Sequence, residues 1–128
     1  MSIAKLLIAD DDDRLRRGIA MRLNADGYDV IEAADGAEAL ALARTELPDI
    51  LILDVHMPAG DGLTVLDRLD ASATLGAIPA IYISGDHAPW LRQAVEKRGA
   101  AALVHKPFTA GDLIEAIRLL SGEMPTAR

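Results

Sequence analysis

The chain of 128 residues contains no cysteine and only four aromatic residues: one Phe, one Trp and two Tyr. Without cysteine, disulfides, thiolate metal sites and thiol nucleophiles are all excluded, and the composition is compatible with a reducing compartment. The hydrophobic core must be built from Leu, Ile, Val and Ala. Four aromatic residues are too few for base-stacking platforms or a flavin sandwich, so both kinds of site are disfavoured.

No signal peptide is expected, and positive charge is not in excess. Residues 1–5 carry one lysine ahead of an apolar run of strand length, which is too short for a signal peptide or a membrane span. The formal net charge is −7, so the chain would repel a phosphate backbone. We therefore expect a soluble cytoplasmic protein that neither inserts into a membrane nor binds nucleic acid directly.

Five short apolar runs alternate with segments of helical periodicity. The runs are Leu6 to Ala9, Tyr28 to Ile31, Ile50 to Leu53, Ala80 to Ile83 and Ala101 to Val104. Apolar residues recur at helical spacing in three of the intervening segments, at Leu15, Ile19 and Leu23, at Gly62, Val65, Leu66 and Leu69, and at Leu113, Ala116, Ile117 and Leu120. Two less sharply patterned helices are predicted from about Gly36 to Arg44 and from about Pro89 to Arg98.

This alternation predicts the fold class α/β, as a flavodoxin-like, doubly wound (βα)5 three-layer sandwich. Right-handed crossovers between the strands give a parallel sheet that is covered on both faces. The usual strand order for five strands is 2-1-3-4-5, with ligands bound at the carboxyl ends of strands 1 and 3. We predict a single domain over residues 1–128, with a core of about 5–120 and a frayed tail over 121–128.

Polar side chains follow the strands at the edge where ligands are expected. Asp10 and Asp11 come after the first run, Asp54 ends the third, Ser84 follows the fourth and Lys106 follows the fifth. Carboxylates that are crowded together imply either a bound divalent cation or a raised pKa. The first turn is entirely acidic and no Gly-Lys-Ser or Gly-Lys-Thr motif occurs, so the turn suits Mg²⁺ rather than an unaided phosphate.

The same residues provide the groups that phosphoryl transfer requires: a nucleophile, a metal and positive charge on the phosphoryl oxygens. Asp54 is the candidate nucleophile, since carboxylates serve in aspartyl-phosphate chemistry. The ammonium of Lys106 could contact the phosphoryl group, and the Ser84 hydroxyl could donate to another of its oxygens. None of these residues alone is a specific sign of phosphoryl transfer, but their joint position at successive strand ends is such a sign.

The chain resembles a response regulator receiver domain and is similar to the single-domain chemotaxis regulators. The matching segments are Ile8-Ala9-Asp10-Asp11, Asp54-Val55-His56-Met57-Pro58-Ala59-Gly60-Asp61-Gly62, Ile83-Ser84-Gly85 and His105-Lys106-Pro107-Phe108. The resemblance implies that Asp54 accepts a phosphoryl group from a sensor histidine kinase or a histidine phosphotransfer protein. It also implies roles for the neighbouring groups: Mg²⁺ binding by Asp11, Asp54 and the backbone carbonyl of His56, water-mediated binding by Asp10, phosphoryl contacts by Ser84 and Lys106, and a cis Lys106-Pro107 bond.

By this resemblance the chain is a phosphoacceptor of a two-component or phosphorelay system that signals to an unknown protein target by altered protein contacts. It would catalyse only its own phosphorylation and dephosphorylation, and either an effector or a phosphate sink fits. One position departs from the family: members often carry Tyr or Phe three residues before the conserved lysine, and this chain has Leu103.

Three alternative functions stay open. A degenerate receiver would act as an unphosphorylated docking module. A Mg²⁺-dependent phosphatase of the haloacid dehalogenase type would need a second Asp where this chain has His56, and a cap domain for which 128 residues leave no room. A flavin- or nucleotide-binding flavodoxin relative is disfavoured by the acidic first turn and the scarcity of aromatic residues.

Several polar residues are expected to have structural roles only. Asp12 or Asp13 is predicted to be the N-cap of the first helix. The arginines of that helix are expected to form its solvated face, although in receivers this helix docks the phosphodonor. They are Arg14, Arg16, Arg17 and Arg22. The three histidines, His56, His87 and His105, have no metal-ligand spacing.

Overall fold

The computed structural model describes residues 3–55, 67–68, 71, 75–85, 89–98 and 101–121. Its centre is a five-stranded parallel sheet with the order β2-β1-β3-β4-β5, which confirms the predicted topology. The strands are β1 (Lys5–Ala9), β2 (Asp29–Ala33), β3 (Ile50–Asp54), β4 (Ala80–Ser84) and β5 (Ala101–His105).

The helices are α1 (Asp13–Ala25), α2 (Gly36–Glu46), α3 (Pro89–Arg98) and α4 (Ala110–Ser121), with a 3-10 helix at Leu75–Ala77. Of the helix predicted between Gly62 and Leu69, only residues 67 and 68 are described, and they are helical. The rest of that helix and the tail predicted beyond residue 121 lie outside the described residues. In the part of the chain that is described, no helix is long and apolar enough to cross a membrane.

Side chains cap three of these helices, and the N-cap of α1 is Asp12, one of the two residues predicted for it. The Asp12 carboxylate accepts the amide three positions further on, at 3.1 Å, and so begins α1. Asp35 accepts the amide of Glu38 at 2.8 Å at the start of α2. Thr109 and Asp112 exchange bonds of 2.9 and 3.0 Å, a reciprocal capping box for α4. These bonds satisfy amide groups that have no partner inside the helix.

The bounds of β2 and α2 differ most from the predicted ones. The second strand begins at Asp29, because the Tyr28 amide donates to the Leu23 carbonyl at the end of α1 rather than to a neighbouring strand. Tyr28 is nevertheless buried, which is what its place in an apolar run indicated. Helix α2 continues to Glu46 and ends at Leu47, whose φ of 47° is left-handed.

The core consists of two apolar layers, one on each face of the sheet, because side chains alternate along each strand. The layer under α1 and α4 includes Leu6, Ile8, Ile19, Leu23, Ile50, Ile52, Leu113 and Ile117. The layer under α2 and α3 includes Leu7, Ala39, Ala43, Leu51, Leu53, Tyr82, Leu91 and Val95. This burial holds the strand ends in a fixed register, on which the position of the site depends.

Candidate functional site

The register of β1 against β3 brings two of the predicted carboxylates together. Leu6 lies beside Ile50 and Ile8 beside Ile52, and all four point into the layer under α1 and α4. One further step of two residues along each strand places Asp10 beside Asp54 on the same side of the sheet. The apolar pattern inside the sheet therefore determines where the acidic side chains meet.

Asp11 completes a group of three carboxylates. One oxygen from each of Asp10, Asp11 and Asp54 lies within 4.8 Å of the other two. Asp10 and Asp54 are buried, with 0 % and 4 % of their surface exposed, whereas Asp11 is exposed. Hard carboxylate oxygens at this spacing match the preference of Mg²⁺, so the donor set fits a divalent cation.

Among the residues that the structure describes, Lys106 brings its ammonium group to face these acids. Lys106 Nζ donates to Asp54 Oδ2 at 3.0 Å and lies 3.5 Å from Asp10 Oδ2. Lys106 directly follows β5, its backbone amide donates to the Ser84 carbonyl at 2.8 Å, and the bond between Lys106 and Pro107 is cis. The cis bond agrees with what the family resemblance implied.

The charges at the site are not balanced. Burial raises the pKa of Asp10, and the charge of Asp54 raises it further against the opposing effects of the Asp12 amide and Lys106. Burial alone would lower the pKa of Lys106, but its hydrogen bond to Asp54 and the charge of Asp10 raise it overall. Lys106 is therefore cationic at neutral pH, and three ionised carboxylates would leave an excess of two negative charges.

Of the two other predicted site residues, Ser84 is described by the structure and His56 is not. Ser84 is completely buried at the carboxyl end of β4, adjacent to β3 and β5, so it belongs to the same edge of the sheet. Its contact with a phosphoryl oxygen stays a prediction. His56, whose carbonyl is the remaining predicted Mg²⁺ ligand, lies outside the described residues.

The expectation that all four arginines of α1 form a solvated face is wrong for Arg16. Only 6 % of Arg16 is exposed, and its Nη1 donates to the carbonyl oxygen of Asp10 at 2.6 Å. Helical periodicity could have identified this residue, because Arg16, Ile19, Ala20 and Leu23 follow the spacing of one buried face. The positive charge of Arg16 favoured the opposite prediction, because charged side chains usually lie in solvent.

Fold and site together define a doubly wound α/β domain with an acidic, metal-compatible edge next to a lysine. Residues 6–118 match the response regulator receiver domain, so the chain belongs to this family. Receivers of two-component systems are signalling domains that histidine kinases phosphorylate. The match confirms both the family resemblance and the fold class.

Known proteins agree with this assignment. Transcriptional regulatory protein PdtaR of Mycobacterium tuberculosis is 36% identical over 116 residues, which cover 90% of this chain and 55% of PdtaR. Response regulator PleD of Caulobacter vibrioides is 36% identical over 118 residues, covering 92% of this chain and 26% of PleD. The chain thus spans about half of one relative and a quarter of the other.

A solved structure shows the same arrangement of strands and helices. The chemotaxis protein CheY4 of Vibrio cholerae superimposes with a TM-score of 0.86 at 29% sequence identity, and the alignment covers 93% of this chain and 99% of CheY4. CheY4 therefore corresponds to this chain over almost its whole length.

Proposed function

We propose that this receiver domain is phosphorylated on Asp54 in a Mg²⁺-dependent reaction and signals by altered protein contacts. The donor would be a histidine kinase or a histidine phosphotransfer protein. The observation that carries the proposal is the 3.0 Å contact between Lys106 Nζ and Asp54 Oδ2, inside a group of three carboxylates. This contact supports the proposal, because it joins the candidate nucleophile to a counter-charge beside candidate oxygen ligands.

Asp11, Asp54 and the His56 carbonyl are the proposed Mg²⁺ ligands, and Asp10 acts largely through a water. Bound Mg²⁺ would supply positive charge that neutralises the phosphoryl group during transfer. Asp11 is exposed and Asp54 is buried, so the carboxylates line the site from its open side to its floor. Burial raises the pKa of Asp10 and the charge of Asp54 raises it further, so a bound cation would stabilise its ionised form.

The transfer step uses the Asp54 carboxylate as the nucleophile. One of its oxygens attacks the phosphorus of a phosphohistidine, a phosphorus–oxygen bond forms and the phosphorus–nitrogen bond breaks. The bonding electron pair stays on the imidazole nitrogen of the donor, which then takes up a proton from solvent. Lys106, which holds Asp54 Oδ2 before transfer, and the Ser84 hydroxyl donate to oxygens of the resulting acyl phosphate.

Phosphorylation changes the partner of Lys106 at the end of β5, and this change is the proposed source of the signal. Leu103 lies three residues earlier, within β5, half-buried beside a cavity of about 240 Å³ between β5 and α3. A shift of Lys106 toward the phosphoryl group would therefore alter the surface around this cavity. A target protein that distinguishes the two states would shift their populations.

Acetyl phosphate with Mg²⁺, followed by intact-mass measurement, tests the proposal. The wild type should gain one phosphoryl group, while Asp54→Asn and a sample with EDTA should gain none. Rapid release of phosphate without an adduct would favour the aspartyl phosphatase. An unmodified wild type would favour the docking module, which the departure at Leu103 keeps as a second candidate. An adduct on Asp54→Asn would show that another residue is the acceptor.

A further inference from the structure

The guanidinium of Arg16 is a buried cation at the rim of the acidic site, although it is outside the set of groups proposed to touch metal or phosphate. Burial of an arginine is unfavourable unless its donors find acceptors. Three of its nitrogen atoms do so: Nη1 donates to the Asp10 carbonyl at 2.6 Å, Nε to Glu32 at 3.0 Å and Nη2 to Asp13 at 2.9 Å.

These acceptors belong to three different elements. Asp10 follows β1, Glu32 lies on β2 and Asp13 begins α1. The planar fork of an arginine can donate in three directions at fixed angles, whereas a lysine ammonium is a single point charge on a flexible chain. Arg16 therefore fastens the start of α1 and the β2 strand to the peptide that leaves β1.

That peptide links Asp10 to Asp11, and several bonds fix its orientation. The Asp10 amide donates to the Ala33 carbonyl at 3.2 Å, its carbonyl accepts from Arg16, and its Oδ1 accepts from the Asp12 amide at 2.9 Å. With its main chain held on both sides, Asp10 directs Oδ2 toward Lys106. Loss of the Arg16 bond would let the peptide rotate and would move the Asp11 carboxylate that follows it.

We infer that Arg16 is a positioning residue that sets the Mg²⁺ affinity of the site by holding the Asp10–Asp11 peptide. The inference rests on the proposed Mg²⁺-dependent function. It predicts a change in Mg²⁺ affinity that is opposite in sign to the change expected from electrostatics alone. Removing a positive charge near three carboxylates should by itself strengthen Mg²⁺ binding, whereas loss of positioning should weaken it.

Titration of Mg²⁺ by isothermal calorimetry separates the two effects. We expect Arg16→Gln and Arg16→Lys both to raise the Kd for Mg²⁺ about tenfold or more, because loss of a group that orients metal ligands commonly weakens binding to this extent. Arg17→Gln is the matched control, because Arg17 is an exposed neighbour on the same helix. It makes the same charge change and should alter the Kd less than about twofold.

Phosphorylation by acetyl phosphate at increasing Mg²⁺ provides the second readout. If Arg16 only positions the metal ligands, Arg16→Gln should need more Mg²⁺ for half-maximal rate but approach the wild-type rate at saturation. Glu32→Gln keeps the bond to the Asp10 carbonyl and should show a smaller Kd increase than Arg16→Gln. If Arg16→Gln does not fold, Arg16→Lys carries the test.

Clear outcomes would overturn the inference. An unchanged or tighter Kd in Arg16→Gln or Arg16→Lys, with or without a lower Tm, would mean that Arg16 only stabilises the fold. Failure of the proposed function would look different, because the wild type itself would then neither bind Mg²⁺ nor accept a phosphoryl group.

Discussion

Two charged clusters meet at Asp10, and their burial patterns are inverted. In the first, the buried member is the cation Arg16, while the side chains of its acids Asp13 and Glu32 are 73% and 35% exposed. In the second, the buried members are the acids Asp10 and Asp54, while the side chain of the cation Lys106 is 32% exposed. Both clusters contain more acid than base.

The position of the unbalanced charge distinguishes a structural cluster from a functional one. Around Arg16 the surplus acid is at the surface, where water solvates it, so the cluster needs no further ion. Around Lys106 the surplus acid is in the interior, where burial disfavours the charged form of a carboxylate. A divalent cation would remove this imbalance, which is why the second cluster is the candidate site.

Replacement of the cation of the second cluster should give the largest effect. We expect Lys106→Met to slow phosphorylation by acetyl phosphate by about 100-fold or more, since a preorganised charge on the transferred group is lost. The control is Lys5→Met, which removes the exposed pair of Lys5 and Glu46 (3.3 Å) and should leave the rate unchanged. A Lys106→Met rate close to wild type would make Lys106 a structural counter-ion only.

Mg²⁺ should stabilise the fold by binding to Asp11 together with the buried acids of the second cluster. At a concentration 100 times its Kd, a ligand that binds only the folded state adds about 2.7 kcal/mol, which thermal unfolding with and without Mg²⁺ can measure. Asp11→Asn should remove most of this gain and Asp13→Asn should retain it, although both replace exposed acids of the same turn. An equal Mg²⁺ effect in Asp11→Asn would argue against Asp11 as a ligand.

Much of the site followed from the sequence because it depends on strand ends. The alternation of apolar runs with helical segments predicted a doubly wound parallel sheet, for which 2-1-3-4-5 is the usual order. The parallel register then places Asp10 and Asp54 at the same edge. The boundary at Tyr28 was less predictable, since a bond to the end of α1 competes with strand pairing. The apolar pattern of one segment gives no information about its contacts with another element.

The Arg16 cluster was missed for the same reason. Whether an arginine on a helix is solvated depends on what the neighbouring strand offers, and Glu32 is 16 residues away on β2. The periodic position of Arg16 on the buried face was visible, but it conflicted with the rule that charged residues lie outside. That rule fails where a second element supplies acceptors.

Neutralising one buried acid should stabilise the Mg²⁺-free protein. The pKa of Asp10 is raised from its ordinary value of 3.8, chiefly by burial. The protonated form thus stabilises the fold below that value, and the contribution is lost as pH rises through the raised pKa. Asp10→Asn, which keeps an acceptor for the Asp12 amide, should therefore be more stable than the wild type at neutral pH without Mg²⁺.

Urea unfolding in EDTA at neutral pH and near pH 3 measures the Asp10 effect. The difference between wild type and Asp10→Asn should shrink as the pH falls, because wild-type Asp10 becomes neutral as well. With saturating Mg²⁺ the order should reverse if Asp10 contributes to metal binding. A wild type that is the more stable protein at neutral pH without Mg²⁺ would refute the claim that its buried acids are undercompensated.

The smallest effect is expected at the exposed rim of the first cluster. Asp13 lies 2.9 Å from Arg16, a distance that would suggest a strong ion pair. Because its side chain is 73% exposed, Asp13→Asn should change the free energy of unfolding by less than about 0.5 kcal/mol. Arg16 keeps its bonds to Glu32 and the Asp10 carbonyl. A loss of several kcal/mol of unfolding free energy would show that water does not replace the ion pair of an exposed acid. The contrast between the two clusters would then fail.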